Sequence, residues 1–505
     1  MTRECDRLRD SVCQAIESKV SATVMRKLVA TVAVLAATLG VVSAATGAEA
    51  VTPREPNVLV VVPFAALLLA IALMPFLNQR FWEHNYPKVA VGLGLVTVLY
   101  YVFVLHNPAR IVTSLVEYVG FMALIGSLFV IAGGIHINMS GRSTPLLNTI
   151  LLAIGALLAN LIGTTGASML LIRPFLHINK YRAAPFHAVY FIFIVSNIGG
   201  ALTPIGDPPL FLGYLKGVPF FWLLQSPQIL LAWLFCVGVL LTLFFFIDSR
   251  HFQKHKPDLT PLADNQVQLE GAHNFLWLFV ILGLVLVQKA EWLHALASSP
   301  AFASLGQPLG WDTAKTAENL ITIATAALMI ATAWLSHRFA NQHALRENGF
   351  TFGPVREVGF LFVGIFATMV PALELLEKHA ADIGITTVRQ FFWGSGALSG
   401  VLDNAPTYLN FLTAAFGLHH LSLENPAHMQ SFLLDAHTAQ YVIAISLGSV
   451  FFGANTYIGN GPNFMVKSIA ESSGLRCPSF FGYVLKYTLP ILIPLFALVS
   501  WLILR

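Results

Sequence analysis

Two polar stretches broken by glycine and proline interrupt long apolar segments of this chain: SNIGGALTPIGDPP from Ser196 to Pro209, and GANTYIGNGP from Gly453 to Pro462. Lipid offers the backbone no hydrogen-bond partner, so an interrupted membrane helix persists only where protein or a cavity covers the freed groups. Breaks at matching places in two halves of a chain predict a shared ion or substrate site. A proline kink braced by neighbouring helices would explain either break alone. It does not explain the recurrence.

The chain has 505 residues, of which 56% are hydrophobic and 11% charged, and its mean hydropathy is +0.71. These values lie outside the range of soluble domains and within that of multi-pass membrane proteins. The formal charge of +4 is small and its basic residues are scattered through short loops, which argues against a nucleic-acid partner and for topology signals. Cys5, Cys13, Cys236 and Cys477 lie too far apart for a metal or redox site. No HExxH, GxSxG or Walker-type phosphate loop occurs, so the expectation is a non-enzyme driven by a gradient rather than by ATP. Residues 1–24 are polar, after which Met25-Arg26-Lys27 leads into an apolar run ending Ala48-Glu49-Ala50. That is the pattern of a secretory signal peptide with Met25 as the start, or of an uncleaved first helix.

Apolar windows near 57–77, 88–106, 117–137, 187–213, 228–247, 275–292, 319–335, 357–375, 439–466 and 485–504 predict an all-α polytopic membrane protein with about ten full spans. Two further stretches, 145–172 and 390–416, carry Gly, Thr, Asn and Pro at mid-length and fit re-entrant hairpins better than clean spans. With both hairpins returning to the side they enter from, loops bearing Lys180 and Arg182, Arg250 and Lys254, Arg338 and Arg346, and Lys467 and Arg476 share one face. The positive-inside rule makes that face cytoplasmic. Two units then read alike as helix, hairpin, broken helix, helix, but enter from opposite sides as inverted repeats. The expected order is a signal-like extension (1–50), scaffold helices (51–116), a first repeat (117–247), a cytoplasmic linker (248–274), scaffold helices (275–356) and a second repeat (357–505). The expected location is a bacterial inner (plasma) membrane, with the lipid bilayer as surrounding partner.

In the first break, Asn197, Thr203, Gly206 and Asp207 stand in a run that no regular helix accommodates, because proline removes a donor and glycine tolerates unwinding. The freed carbonyls are expected to meet a desolvated cation, helped by the Asn197 and Thr203 oxygens and the Asp207 carboxylate, hard ligands suited to sodium or a proton. The second break offers Asn455, Thr456, Asn460 and Asn463 but no acid. Asn197, Asp207 and Asn455 are the candidate sodium ligands; no other cofactor is expected. Hairpin tips contribute Thr164, Thr165 and Ser168 on one side and Asp403, Asn404 and Thr407 on the other, with helix ends aimed at whatever binds between them. A carboxylate at the bilayer centre costs about 2.5–3.5 kcal/mol on insertion scales, so Asp207 and Asp403 call for a reason. Competition between a proton and a metal ion for one carboxylate is the minimum machinery of antiport; helix capping is the plainer role for either residue. Arg173 and Lys467 are placed to neutralise an anion or to snorkel to the interface. His251, His255, His419 and His420 are expected to be solvated in loops.

At these residues the chain resembles the ion transporter superfamily, in particular NhaD-like sodium/proton antiporters and the CitMHS-like citrate transporters. The resemblance rests on LFVIAGGIHI at 128–137, IGTTGASMLLIRP at 162–174, SNIGGALTPIGDPP at 196–209, LDNAPTYLNFL at 402–412 and GANTYIGNGPNF at 453–464. It implies a homodimer in which each protomer has a scaffold and an elevator-like transport part built from two hairpins and two broken helices. By position, the family's hairpin tips match Thr164, Thr165, Ser168, Asn404, Pro406 and Thr407, and its broken helices match Asn197 to Pro209 and Asn455 to Asn463. Dicarboxylate carriers of the superfamily look for Ser-Asn-Thr tips and a threonine where Asp207 stands; GTTGAS and DNAPT replace those tips here. The leading expectation is therefore a sodium/proton antiporter. Sodium- or proton-coupled uptake of citrate or a related organic anion is the alternative, and a passive channel or membrane scaffold a third reading that doubled breaks do not require.

Overall fold

The computed structural model describes residues 55–139, 141, 143–254 and 267–504. The signal-like segment with Met25, Cys5, Cys13, Arg142 and His255 lies outside the described residues, as does the middle of the expected linker. Among the described residues, eight helices are long and apolar enough to cross a membrane, or nine if Asn274–Gln288 and Glu291–Ala297, bent by 64°, form one span. The expectation was about ten. Windows 187–213 and 439–466 each fall into shorter pieces that fail the length test. Leucines such as Leu95, Leu231 and Leu234, with Phe246, Phe279 and Trp501, are exposed on the outer faces of these helices, as lipid contact requires.

Pro145–Ile178 passes the length test as one helix, but it is folded back on itself at Gly163, whose φ of 77° and ψ of 155° are not helical. A Cβ placed on Gly155 would lie 3.1 Å from Leu171, although a straight helix would carry those residues about 24 Å apart at 1.5 Å per residue. Ser143 N donates to Ile178 O at 3.1 Å, closing the base. The second hairpin joins Val388–Ser399 to Asn404–Leu418, and a Cβ on Gly394 would lie 2.9 Å from the Phe411 ring. Both stretches read as re-entrant from sequence therefore do turn back. Each packs across the halves: Pro145–Ile178 against Gly461–Ser472, and Asn404–Leu418 against Pro208–Leu215.

Around them, Pro108–Gly133 packs on Thr313–Phe339 and Gly353–His379, and Gln79–Phe103 packs on Gly353–His379. Buried serines bind across these contacts, Ser114 to Phe366 O at 2.7 Å and Ser127 to Met329 O at 3.0 Å, and small residues let backbones approach. One departure from an all-helical chain is a two-stranded antiparallel ribbon, His136–Met139 with Val267–Glu270. The ribbon begins where Gly134 ends its helix and Gly271, at φ +73°, leaves no room for a Cβ against Gly134 O.

Two ionic clusters bracket the helices. In one, Lys216 Nζ binds Glu117 at 2.8 Å and Glu424 at 2.6 Å, and Glu424 also takes Arg110 at 2.8 Å and Lys315 at 3.1 Å. Burial alone would raise the Glu424 carboxyl, but Arg110, Lys216 and Lys315 outweigh it and hold the group well below the usual carboxylate range. In the other, Asp248 accepts from Arg182 and, at 2.8 Å, from Asn148. The expected boundary at 247 is not a helix end: Pro227–Lys254 runs on, and both Asp248 and Arg182 are buried. His251, expected in a solvated loop, lies in that helix with its Nε2 2.9 Å from Arg182 O.

Candidate functional site

Both breaks are built the same way. Pro185–Ile194 gives way to a short turn at Ile198–Gly200 and an irregular stretch before Pro208–Leu215 starts. In the second half Ala436–Phe452 ends in a turn at Gly453–Asn455 before Gly461–Ser472. Asp207 (φ −144°, ψ 145°) and Asn460 (φ −152°, ψ 142°) occupy the N-cap positions of the resumed helices, yet neither side chain caps its own helix.

They face each other instead. Asn460 Nδ2 donates to Asp207 Oδ1 at 2.9 Å, Thr164 Oγ1 donates to the same oxygen at 2.8 Å, and Asn404 Nδ2 donates to Asp207 Oδ2 at 2.5 Å. Asp207 is 1% exposed. One carboxylate is thus held by both hairpin tips and by the opposite break. Asn197 Nδ2 donates to Asn463 Oδ1 at 2.7 Å, and Asn463 Nδ2 donates to Gly453 O and Thr456 O at 2.8 and 2.9 Å.

The other residues singled out from sequence sort by their bonds. Thr203 Oγ1 donates to Asn160 O at 2.6 Å and Thr456 Oγ1 to Gly400 O at 2.7 Å, each pinning a break to a hairpin. Thr164 N donates to Gly206 O at 2.8 Å, and Ser168 and Ser196 hydroxyls meet at 2.8 Å. Thr407 Oγ1 turns back to Asp403 O at 2.9 Å. Asp403 accepts from Ala405 N at 3.1 Å, so it caps the hairpin helix, and it stays half-buried beside Asn404. Thr165 is half-buried. Arg173 packs beside Gly349, while Lys467 lies 4.9 Å over the Tyr457 ring and 3.9 Å from Glu471. Neither is among the partners of Asp207.

From the sequence, the freed carbonyls were expected to meet a cation. Protein donors take several of them: Asn160 Nδ2 and Trp233 Nε1 bind Gly199 O at 2.6 and 2.9 Å, Tyr483 Oη binds Ala454 O at 2.8 Å, and Thr488 Oγ1 binds Asn455 O at 2.7 Å. Asn197 Oδ1, Asn404 Oδ1 and Asn455 Oδ1 are all buried without a hydrogen-bond partner. Buried polar atoms are rarely left so; neutral amide oxygens beside a carboxylate are a donor set for a hard cation. A Cβ on Gly453 would lie 2.8 Å from Asn197 Oδ1 and 3.6 Å from Asn404 Nδ2, so these two amides converge on one point.

Asn160, Trp233, Tyr483 and Thr488 were not recognisable as site residues from their surroundings in sequence. One signal was available for the pairing of the breaks: Thr203-Pro204-Ile205-Gly206-Asp207-Pro208-Pro209 matches Thr456-Tyr457-Ile458-Gly459-Asn460-Gly461-Pro462 at Thr, Ile, Gly and the last Pro. That alignment sets Asp207 opposite Asn460. The glycines are sterically demanded, since a Cβ on Gly459 would meet Gly453 O at 2.6 Å and Ser399 O at 2.8 Å. Gly199→Ala, whose Cβ would meet Ile194 O at 2.5 Å and Ala156 Cα at 2.7 Å, is expected to lower the unfolding temperature of detergent-solubilised protein. The expected cost is about 1–3 kcal/mol, typical of overpacking. Gly283→Ala, inside Asn274–Gln288 with no other element within 4 Å of the added Cβ, is the control expected to keep or slightly raise it.

Helices long enough to cross a bilayer, arranged around a buried carboxylate held by two folded-back tips and two broken segments, define a multi-pass integral membrane protein of the transporter class. The chain belongs to the family described as "Putative citrate transport", which it matches over residues 54–504. No curated protein matches it.

Proposed function

We propose that this protein is a secondary transporter that exchanges sodium for protons by alternating access, with Asp207 as the group for which the two ions compete. The observation that carries the reading is the carboxylate itself, enclosed by Thr164, Asn404 and Asn460 from three separate segments. An ionised carboxylate has about four acceptor positions. Three donors leave room for one proton or one side of a cation. Asn197, Asn404 and Asn455 supply neutral oxygens for the cation shell, and Asp403, at the same hairpin tip, is a second exchanging group nearer the accessible surface. The related breaks fit inverted repeats, and a homodimer in a bacterial inner membrane is the assembly we assign to the protein.

Coupled uptake of citrate is the second reading, favoured by the description of the family. Among the described residues no lysine or arginine binds Asp207 or its three partners, so a citrate anion would need cations in place first to offset Asp207 and Asp403. The two readings separate in vesicles containing the purified protein and a pH-sensitive dye. Sodium added to an imposed proton gradient is expected to collapse it. Labelled citrate accumulating on a sodium gradient, with no sodium-driven proton release, would replace the first reading by the second.

A further inference from the structure

The last transmembrane segment changes its winding beside the second break. Between Phe480–Tyr483 and Ile493–Leu502 the chain forms a π-helix over Val484–Leu492, with Pro490 inside it. Such winding is rare, and where it occurs it often serves to turn a side chain toward a functional site. Thr488, 3% exposed, lies in this stretch and donates its hydroxyl to Asn455 O at 2.7 Å. One turn earlier, fully buried Tyr483 donates to Ala454 O at 2.8 Å and packs its ring, tilted by 48°, 4.4 Å from that of Tyr457. Two consecutive carbonyls of the break are therefore fixed from one helix.

Asn455 is the residue whose amide oxygen is buried and unpartnered. Gly400 of the second hairpin lies beside this side chain, and a Cβ added there would come within 3.3 Å of Asn455 Cβ. The Tyr483 and Thr488 bonds fix the two peptide planes from which the Asn455 side chain extends. We propose that Thr488 is a positioning residue for cation binding: its hydroxyl holds the Asn455 carbonyl and so aims the Asn455 amide oxygen into the site. Tyr483 supports the preceding peptide. This rests on the reading above that a cation binds among the amide oxygens.

Thr488→Val keeps shape and removes the hydroxyl; Thr488→Ser restores the hydroxyl alone. In the vesicle assay, Thr488→Val is expected to raise the half-saturating sodium concentration about tenfold while retaining the maximal rate, the scale of effect for one lost hydrogen bond. Thr488→Ser is expected to return it to within about twofold of the parent. A purely structural threonine would lower the amount of active protein and the maximal rate without moving half-saturation. If Thr488→Val does not accumulate, Tyr483→Phe carries the same test, because it keeps the ring and loses only the hydroxyl on Ala454 O. A parent protein that answers sodium while the variants keep its half-saturation overturns this inference alone. A parent protein with no sodium response overturns the exchange function and this inference with it.

Discussion

Asp207→Asn is expected to reduce sodium-driven proton release to the level of protein-free vesicles while the protein still folds. The carboxylate accepts from Thr164 and Asn460 on one oxygen and from Asn404 on the other. Replacement by the amide keeps the first oxygen as an acceptor and turns the second into a donor facing the Asn404 amine. That clash is relieved locally. Asn404 Oδ1 is buried without a partner, and a half-turn of its amide presents this oxygen to the new donor, since the two ends of an amide are nearly the same size. Folding is thus kept at modest cost, but the buried Asp207 carboxylate, and with it the proton that the proposed exchange requires, is gone. Asp207→Glu retains the charge but adds a methylene to an enclosed position, so it is expected to transport slowly with an altered sodium dependence. The same pair of variants tests the citrate reading in the opposite sense. If Asp207 only neutralises coupling cations for a bound anion, Asp207→Asn would keep citrate binding and lose its dependence on sodium.

The breaks were legible because proline and glycine announce themselves in an apolar run whatever the tertiary structure. The hairpins were legible for a related reason: Gly163 and the polar, proline-containing run Asp403-Asn404-Ala405-Pro406 interrupt segments otherwise long enough to span. What periodicity and composition do not carry is which donor meets which carbonyl. Trp233, Tyr483 and Thr488 sit in apolar helices as ordinary core residues, and only the closeness of those helices to the breaks turns them into caps for Gly199, Ala454 and Asn455. Counting the helical partners those carbonyls lost does not reveal which side chains stand beside them. Asp248 and Arg182 show the same blind spot at the membrane edge. A charged residue at the end of an apolar run looks like a solvated interface residue, and nothing local records that three elements close over it.

Asp248→Asn is therefore expected to be one of the most destabilising single substitutions in the chain. Arg182 and Asp248 form an ion pair with no exposed side-chain surface on either partner. Asn148 and Arg182 bind Asp248 Oδ2 at 2.8 and 3.0 Å, and His187 Nε2 lies 3.2 Å from Oδ1. Asn148 also belongs to a ring with Asn179 and Ser143 at the base of the first hairpin. Removing the negative charge leaves the Arg182 guanidinium buried and uncompensated, a loss of about 3–5 kcal/mol when one partner of such a pair is deleted. Thermal unfolding of the detergent-solubilised protein is the measurement, and a variant as stable as the parent would show that water reaches the pair. The double substitution Arg182→Met with Asp248→Leu is expected to recover much of the loss, because the desolvation of both charges disappears along with their attraction. Its transport rate then reports a separate property. The cluster ties the base of the first hairpin, the helix leading into the Asn197 break and the end of Pro227–Lys254 into one unit. If that unit moves as a body during alternating access, the apolar replacement, packed but no longer directionally bonded, is expected to be stable and yet to transport more slowly than the parent.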